Sequence, residues 1–152
     1  MEYNFRTAKI TASSDDNKWG GCFAENGLWI LLEVATEDDT PASHVGKTIL
    51  DLLLVRFSTT KVRGESLVNE LLSEVQNNKA VTTLLIGSLF EDVLFLGCTG
   101  QGTVMIKRQQ KLGRLLTGSA TAKGKVAPGD VFIFHSDKFQ NTTDLNFHQS
   151  IF

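Results

Sequence analysis

Two amphipathic helical segments follow one another in the sequence, and the other segments of the chain have the pattern of short β-strands. The first segment begins at Thr40-Pro41, which suits an N-cap followed by the first helical residue. Asp38 and Asp39 precede it, where carboxylates complement the positive end of a helix dipole. The second segment follows Gly64. The apolar residues that recur at helical spacing, and so predict the buried faces of both helices, are Val45, Ile49, Leu52, Leu53, Phe57, Leu67, Leu71, Leu72 and Val75.

Strand patterns flank the helices on both sides. Residues 3–11 and 19–24 predict strands, and the apolar run over residues 28–35 predicts a strand that is covered on both faces. The short connections between the later segments, such as residues 100–102, favour antiparallel pairing. Those later predicted strands span residues 81–90, 93–98, 103–108, 112–117 and 131–137, with a weaker one over 119–126.

This order of elements predicts an α+β fold. We expect two packed, mainly antiparallel β-sheets, a β-sandwich, with the two helices covering one face. The 152 residues suit a single domain that spans the whole chain, residues 1–152. Residues 140–152 are poorly patterned and receive no predicted structure.

Composition argues against several classes of partner. The formal net charge of −2 gives no overall attraction to nucleic acid or to an anionic membrane. The longest apolar run, from Ile49 to Val55, is interrupted by Asp51 and is too short to span a bilayer. Cys22 and Cys98 form no disulfide framework, and we expect both to act as small buried hydrophobes. The sequence therefore predicts a cytoplasmic protein that binds neither nucleic acid nor membrane, and it sets no oligomeric state.

Four segments, in this order and spacing around two helices, resemble the metal-dependent protein phosphatase (PPM, or type 2C) family. Residues 80–86 (AVTTLLI) resemble its "ATTLV" strand, and residues 92–104 (DVLFLGCTGQGTV) resemble "D-x-L-x-V-A-N-V-G-D-S-R-A". Residues 111–117 (KLGRLLT) resemble the "G-K-L-x-x-L-T" hairpin, and residues 128–137 (PGDVFIFHSD) resemble "P-G-D-V-L-L-L-x-S-D-G". The resemblance extends over residues 10–139 and implies a PPM-phosphatase-like fold.

The resemblance also implies a chemistry that depends on acidic residues. In this family, two Mn²⁺ or Mg²⁺ ions share an aspartate and activate a water that attacks a phosphoserine or phosphothreonine. Such hard cations need several oxygen ligands. The family's central "D-G" is replaced by Glu33-Val34, its "G-D-S" aspartate by Gln101, and only its "S-D-G" aspartate is kept, as Asp137, which Lys138 follows.

The residual acidic residues leave two interpretations open. Glu33 and Asp137 are the candidate metal ligands, with Asp38 as a possible third ligand from a loop. In the other interpretation, these carboxylates are merely solvated or hydrogen-bonded, and Asp38 only complements the helix start. His135 and Asp137 share one strand face at a spacing of two residues, and they could also form a ligand or acid–base pair with Glu33.

Two functional hypotheses follow from the resemblance. In the first, the chain is a degenerate phosphatase-like domain that has no phosphatase activity, needs no cofactor and acts as a binding or regulatory module for a protein or phosphoprotein. In the second, it is a divergent Mn²⁺- or Mg²⁺-dependent serine/threonine phosphatase. Basic residues around one hairpin could dock an acidic partner, although such residues are also typical of a solvated sheet edge: Lys107, Arg108, Lys111 and Arg114. We favour the first hypothesis, because most of the family's metal ligands are replaced.

Overall fold

The computed structural model describes residues 3–9 and 15–137, and there the elements follow the predicted order of strands, two helices and further strands. The elements are β1 (Lys18–Glu25), β2 (Leu28–Ala35), α1 (Ala42–Thr59), α2 (Glu65–Val75), β3 (Val81–Phe90), β4 (Val93–Gly100), β5 (Gly102–Arg108), β6 (Lys111–Thr117), β7 (Ala120–Lys125) and β8 (Val131–Ser136).

The strands form two antiparallel sheets. The five-stranded sheet has the order β1-β2-β3-β4-β7, and the three-stranded sheet has the order β6-β5-β8. Both helices pack against the five-stranded sheet, α1 on β1 and β2 and α2 on β3 and β4. The predicted α+β fold, with two packed sheets and helices on one face, is therefore confirmed.

The five-stranded sheet buries apolar residues on both of its faces. Along β2, alternate side chains point to the helices and are at most 2% exposed, as Leu28 and Val34 illustrate. The intervening Trp29 and Leu31 pack into the layer between the two sheets. That inter-sheet layer also holds Leu85, Leu94, Leu96, Cys98, Val104, Leu116, Phe132 and Phe134. The prediction that residues 28–35 form a strand covered on both faces is confirmed.

The amino-terminal segment differs from its prediction. Residues 3–9 form neither helix nor strand, and residues 10 and 11 lie outside the described ranges. Phe5 instead packs edge-on against Trp29, with 5.0 Å between the ring centroids. An alternating pattern produces a strand only where a neighbouring strand supplies hydrogen-bonding partners, and residues 3–9 have no such ladder partner.

The start of α1 also differs in detail. Pro41, with extended backbone angles, is the N-cap residue and the helix begins at Ala42, so the prediction of Thr40 as N-cap is wrong. The Thr40 N–H donates to the Asp38 carboxylate at 3.0 Å, and this bond shapes the loop instead of capping the helix. The buried face is narrower than predicted, because Ile49 and Leu53 are buried whereas Leu52 is 46% exposed.

The second helix follows its prediction closely. Gly64 is its N-cap residue and has a φ of 69°, a backbone conformation that favours glycine. Leu67, Leu71 and Val75 are buried beneath the helix, as predicted. Neither helix in the described part of the chain is long and apolar enough to cross a membrane.

Candidate functional site

A small cleft of about 170 Å³ lies at the end of the five-stranded sheet where β1 begins and β2 ends. A β-bulge helps to form it. Glu33 pairs with Thr83 and the next residue, Val34, pairs with Val81, so Thr82 is the extra residue of the bulge. The Thr82 hydroxyl donates to the Glu33 carbonyl oxygen at 3.2 Å. Bulges of this kind commonly redirect side chains beside functional sites. The cleft is lined by Lys18, Glu33, Ala35, Thr82, Thr83 and Gln101.

Gln101 connects the two sheets beside this cleft. Its N–H donates to the Thr82 carbonyl at 3.1 Å, and its own carbonyl accepts from the Thr83 hydroxyl at 2.8 Å and from the Asp137 N–H at 3.2 Å. The preceding Gly100 has a φ of 84°, and a β-carbon there would collide with the Thr82 carbonyl oxygen. This connection therefore requires glycine at position 100, and it fixes the last residues of β8 against the first residues of β3.

The structure places the two principal candidate ligands at the same end of the sandwich. Glu33 pairs with Thr83 across the sheet, and Thr83 and Asp137 both donate to the carbonyl of Gln101. Asp137 does not line the cleft, but its carboxylate lies close enough to Cys98 to act on the pKa of that thiol. Of these two residues, Glu33 lines the cleft and Asp137 lies beside it.

The donor groups of the cleft fit a pair of hard cations poorly. Glu33 is the one carboxylate among the residues that line it, beside two threonine hydroxyls and an amide, and Lys18 adds a positive charge. Two-metal sites need carboxylates that clamp and bridge the ions. Across residues 3–9 and 15–137, no three His, Cys, Asp or Glu side chains come together in a group that could hold a metal ion.

The other candidate residues lie outside the cleft. Asp38 sits in the loop before α1, where its carboxylate accepts the Thr40 N–H. His135 is 3% exposed on β8, and its Nδ1 lies 3.0 Å from the Ser136 carbonyl oxygen. His44 is exposed on α1.

Neither cysteine has the environment of a nucleophile. Cys98 is buried, and this burial, together with the nearby Asp137 carboxylate, raises the pKa of its thiol to about 11 despite an opposing hydrogen bond to Gly102. Burial also raises the pKa of the half-buried Cys22 thiol. Because the thiolate is the reactive form, a raised pKa makes each thiol a poorer nucleophile at neutral pH than an unperturbed cysteine. The prediction of a buried hydrophobe is confirmed for Cys98, whereas Cys22 is only partly buried.

Solved structures with the same fold include two bacterial proteins. One comes from the bacterial stressosome, described as a modular system adapted to control secondary messenger signalling: TM-score 0.55, 14% identity, 85% of this chain and 73% of that one. The other is a bacterial serine phosphatase with an arginine-to-alanine substitution: TM-score 0.51, 13% identity, 88% of this chain and 74% of that one. No protein-family model and no curated protein matches the sequence. At these identities the likeness shows a shared, phosphatase-like fold.

Proposed function

We propose that this chain is a degenerate phosphatase-like domain that has no phosphatase activity and acts as a binding or regulatory module. The observation that carries the proposal is the lining of the cleft at the end of β2. Glu33 provides the one carboxylate there, Gln101 stands where the resemblance expects an aspartate, and the Lys18 ammonium is a further positive charge. A cleft with this lining offers too few carboxylate oxygens to replace the hydration shells of two divalent cations.

The fold likeness is consistent with a regulatory role. One structural neighbour comes from the bacterial stressosome, a modular system that controls secondary messenger signalling, and another is a bacterial serine phosphatase. A phosphatase-like fold in which the metal ligands are replaced can still bind partner proteins through its surface, but it cannot use metal ions to activate water. Regulation through contacts with a protein or phosphoprotein partner is therefore the role that we propose.

A specific observation supports a second candidate, a divergent Mn²⁺- or Mg²⁺-dependent phosphatase. Glu33 and Asp137 lie at the same end of the sandwich and are connected through Thr83 and Gln101. In that case these two carboxylates, with Asp38 as a third, would be the ligands, and the metal would supply an activated water. The two candidates differ in metal affinity and in turnover.

Calorimetric titration with Mn²⁺, together with phosphopeptide turnover, separates the two functions. We expect no turnover above background and no Mn²⁺ binding tighter than roughly 1 mM, the weak end of protein cation sites. Glu33→Gln should change neither result. Glu25→Gln is the matched control, because Glu25 is an exposed carboxylate at the opposite end of β1. Micromolar Mn²⁺ binding and turnover that Glu33→Gln abolishes and Glu25→Gln preserves would establish the second function instead.

A further inference from the structure

The cleft at the end of β2 contains two opposite charges that do not pair with each other. In the β1–β2 register, Lys18 lies opposite Ala35 and Glu33 lies opposite Gly20. The two charged residues, which both line the cleft, are therefore diagonal neighbours on one face of the sheet. Long side chains at diagonal positions can reach each other. Nevertheless, neither forms an ion pair with the other or with any further residue that the structure describes.

The β3 side of the cleft provides hydrogen-bond acceptors. The Thr82 hydroxyl donates its proton to the Glu33 carbonyl oxygen at 3.2 Å, and the Thr83 hydroxyl donates to the Gln101 carbonyl oxygen at 2.8 Å. A hydroxyl whose proton is already used has only lone pairs left to offer a ligand. The two threonines and the Glu33 carboxylate therefore give the cleft a set of oxygen acceptors, which suits the three N–H donors of an ammonium group.

Two other residues give the cleft hydrogen-bond donors. Lys18 contributes an ammonium group. The side-chain amide of Gln101 forms no hydrogen bond with a described residue, so its two N–H groups are available to a ligand. The backbone of Gln101 is held by hydrogen bonds to the first residues of β3 and to the residue that follows β8, which keeps this amide beside the cleft. An ammonium and an amide together suit a carboxylate group.

The size and the charges of the cleft narrow the class of ligand. Its volume of about 170 Å³ is close to that of a cavity of about 150 Å³ that holds benzene, so a ligand of about six to eight non-hydrogen atoms would fill it. A simple anion there would lie beside the Glu33 carboxylate, and a simple cation would lie beside the Lys18 ammonium. Contacts between like charges are unfavourable. A small zwitterion avoids both of them and pairs with both side chains.

We propose that the cleft binds a small α-amino acid as its zwitterion. The ammonium group of the ligand lies at Glu33 and the two threonines, and its carboxylate lies at Lys18 and Gln101. This inference rests on the proposed function, because it names the ligand class of a cleft that does not hold metal ions. A ligand in this position connects β1, β2, β3 and the β4–β5 connection, so its binding should stabilise the domain.

Titration of the full-length chain with L-alanine, at neutral pH and with EDTA present, tests this proposal. The matched ligands are propionate, which lacks the ammonium group, and L-alaninamide, which lacks the carboxylate. We expect L-alanine to bind with a Kd of about 1 mM or tighter and to shift the NMR signals of Lys18, Thr83 and Gln101. Propionate and L-alaninamide should each bind at least about tenfold more weakly, because each loses one charge pair and keeps the like-charge contact.

Variants assign the two ends of the ligand. Lys18→Gln and Glu33→Gln should each weaken L-alanine binding about tenfold, and Glu33→Gln should at the same time strengthen propionate binding. Lys61→Gln and Glu25→Gln are the matched controls, since both residues are exposed and neither lines the cleft. Ala35→Leu fills the cleft without a change of charge and should abolish the binding of all three ligands. Circular dichroism checks that each variant is folded.

Two outcomes of the titration would overturn this proposal and leave the proposed function intact. One is the absence of signal changes at the cleft with about 20 mM L-alanine, well above the expected Kd. The other is binding of propionate or L-alaninamide as tight as that of L-alanine, which would make the cleft a site for a single charge. Micromolar Mn²⁺ binding and turnover that Glu33→Gln abolishes would instead disprove the proposed function, and the amino-acid site with it.

Discussion

The two β-sheets of this domain bury their faces in different ways. The five-stranded sheet lies between two helices and the other sheet, and residues on its helix side, such as Leu32 and Leu84, are fully buried. The three-stranded sheet is covered on its inner face, whereas its outer face leaves Leu112 and Val131 about two-fifths exposed. Because burial is deepest on the helix side of the larger sheet, we expect substitutions there to cost more stability than substitutions of the exposed residues of the smaller sheet.

Truncating a side chain in the helix–sheet layer should give the largest effect. Leu53 on α1 is fully buried, so Leu53→Ala should lower the free energy of unfolding by about 2–5 kcal/mol through lost burial and a cavity. Leu52, the adjacent residue on the same helix, is 46% exposed, and Leu52→Ala should change stability by less than about 0.5 kcal/mol. Urea denaturation followed by circular dichroism measures both. Equal losses would show that the helix–sheet layer does not dominate.

Adding a single methyl group to the same layer should have the next largest effect. A β-carbon at Gly46 of α1 would collide with the indole ring of Trp19 from β1. Gly46→Ala should therefore cost about 1–3 kcal/mol, although alanine is the better helix former by about 1 kcal/mol. Gly124→Ala on β7 is the control, because a β-carbon there meets nothing within 4 Å. Thermal unfolding compares the two variants, and a stabilised Gly46→Ala would mean that the helix does not approach the sheet this closely.

Most elements of this fold were predictable because they have a clear local signal, which is weakest for β7, and the errors arise where contacts with other elements decide. The buried stripe of α1 runs through Ala42, Gly46, Ile49 and Leu53. Its two small residues carry no hydrophobic signal, yet Gly46 is what allows α1 to pack against Trp19. The pattern of large apolar residues therefore pointed to Leu52, which the close approach of α1 to the sheet leaves outside the buried face.

The candidate site was less predictable than the fold. Glu33 and Asp137 were identified through the resemblance, but Lys18, Thr82 and Thr83 join the cleft only because of the strand register and the bulge opposite Glu33. The signal that could have found them is the pair of threonines at the start of the otherwise apolar strand 81–90. Register between strands distant in sequence is set by tertiary contacts, so the sequence pattern alone could not bring these residues together.

At its rim, the smaller sheet is held by a polar connection and not by apolar packing. Arg108 of β5 donates to both carboxylate oxygens of Asp130, at 2.8 and 2.7 Å, and to the Lys125 carbonyl oxygen at 2.9 Å. Asp130 also accepts the Ala127 N–H, and its side chain is 3% exposed. The hydrogen bonds from Arg108, the largest influence, lower the pKa of Asp130.

A lowered carboxylate pKa stabilises the fold only while the group is ionised. The contribution of Asp130 should be complete above the unfolded pKa of about 3.9 and should be lost as the pH falls through its folded pKa. Asp130→Asn should therefore lower the free energy of unfolding by a constant amount near neutral pH and by a smaller amount in acid. This loss should be smaller than the loss caused by Gly46→Ala, because half of the Arg108 side chain is exposed to solvent, which screens its charge. Asp92→Asn, in a solvent-exposed pair with Lys125, should change little at any pH. A difference that grew in acid would contradict an ionised Asp130 at the rim of the smaller sheet.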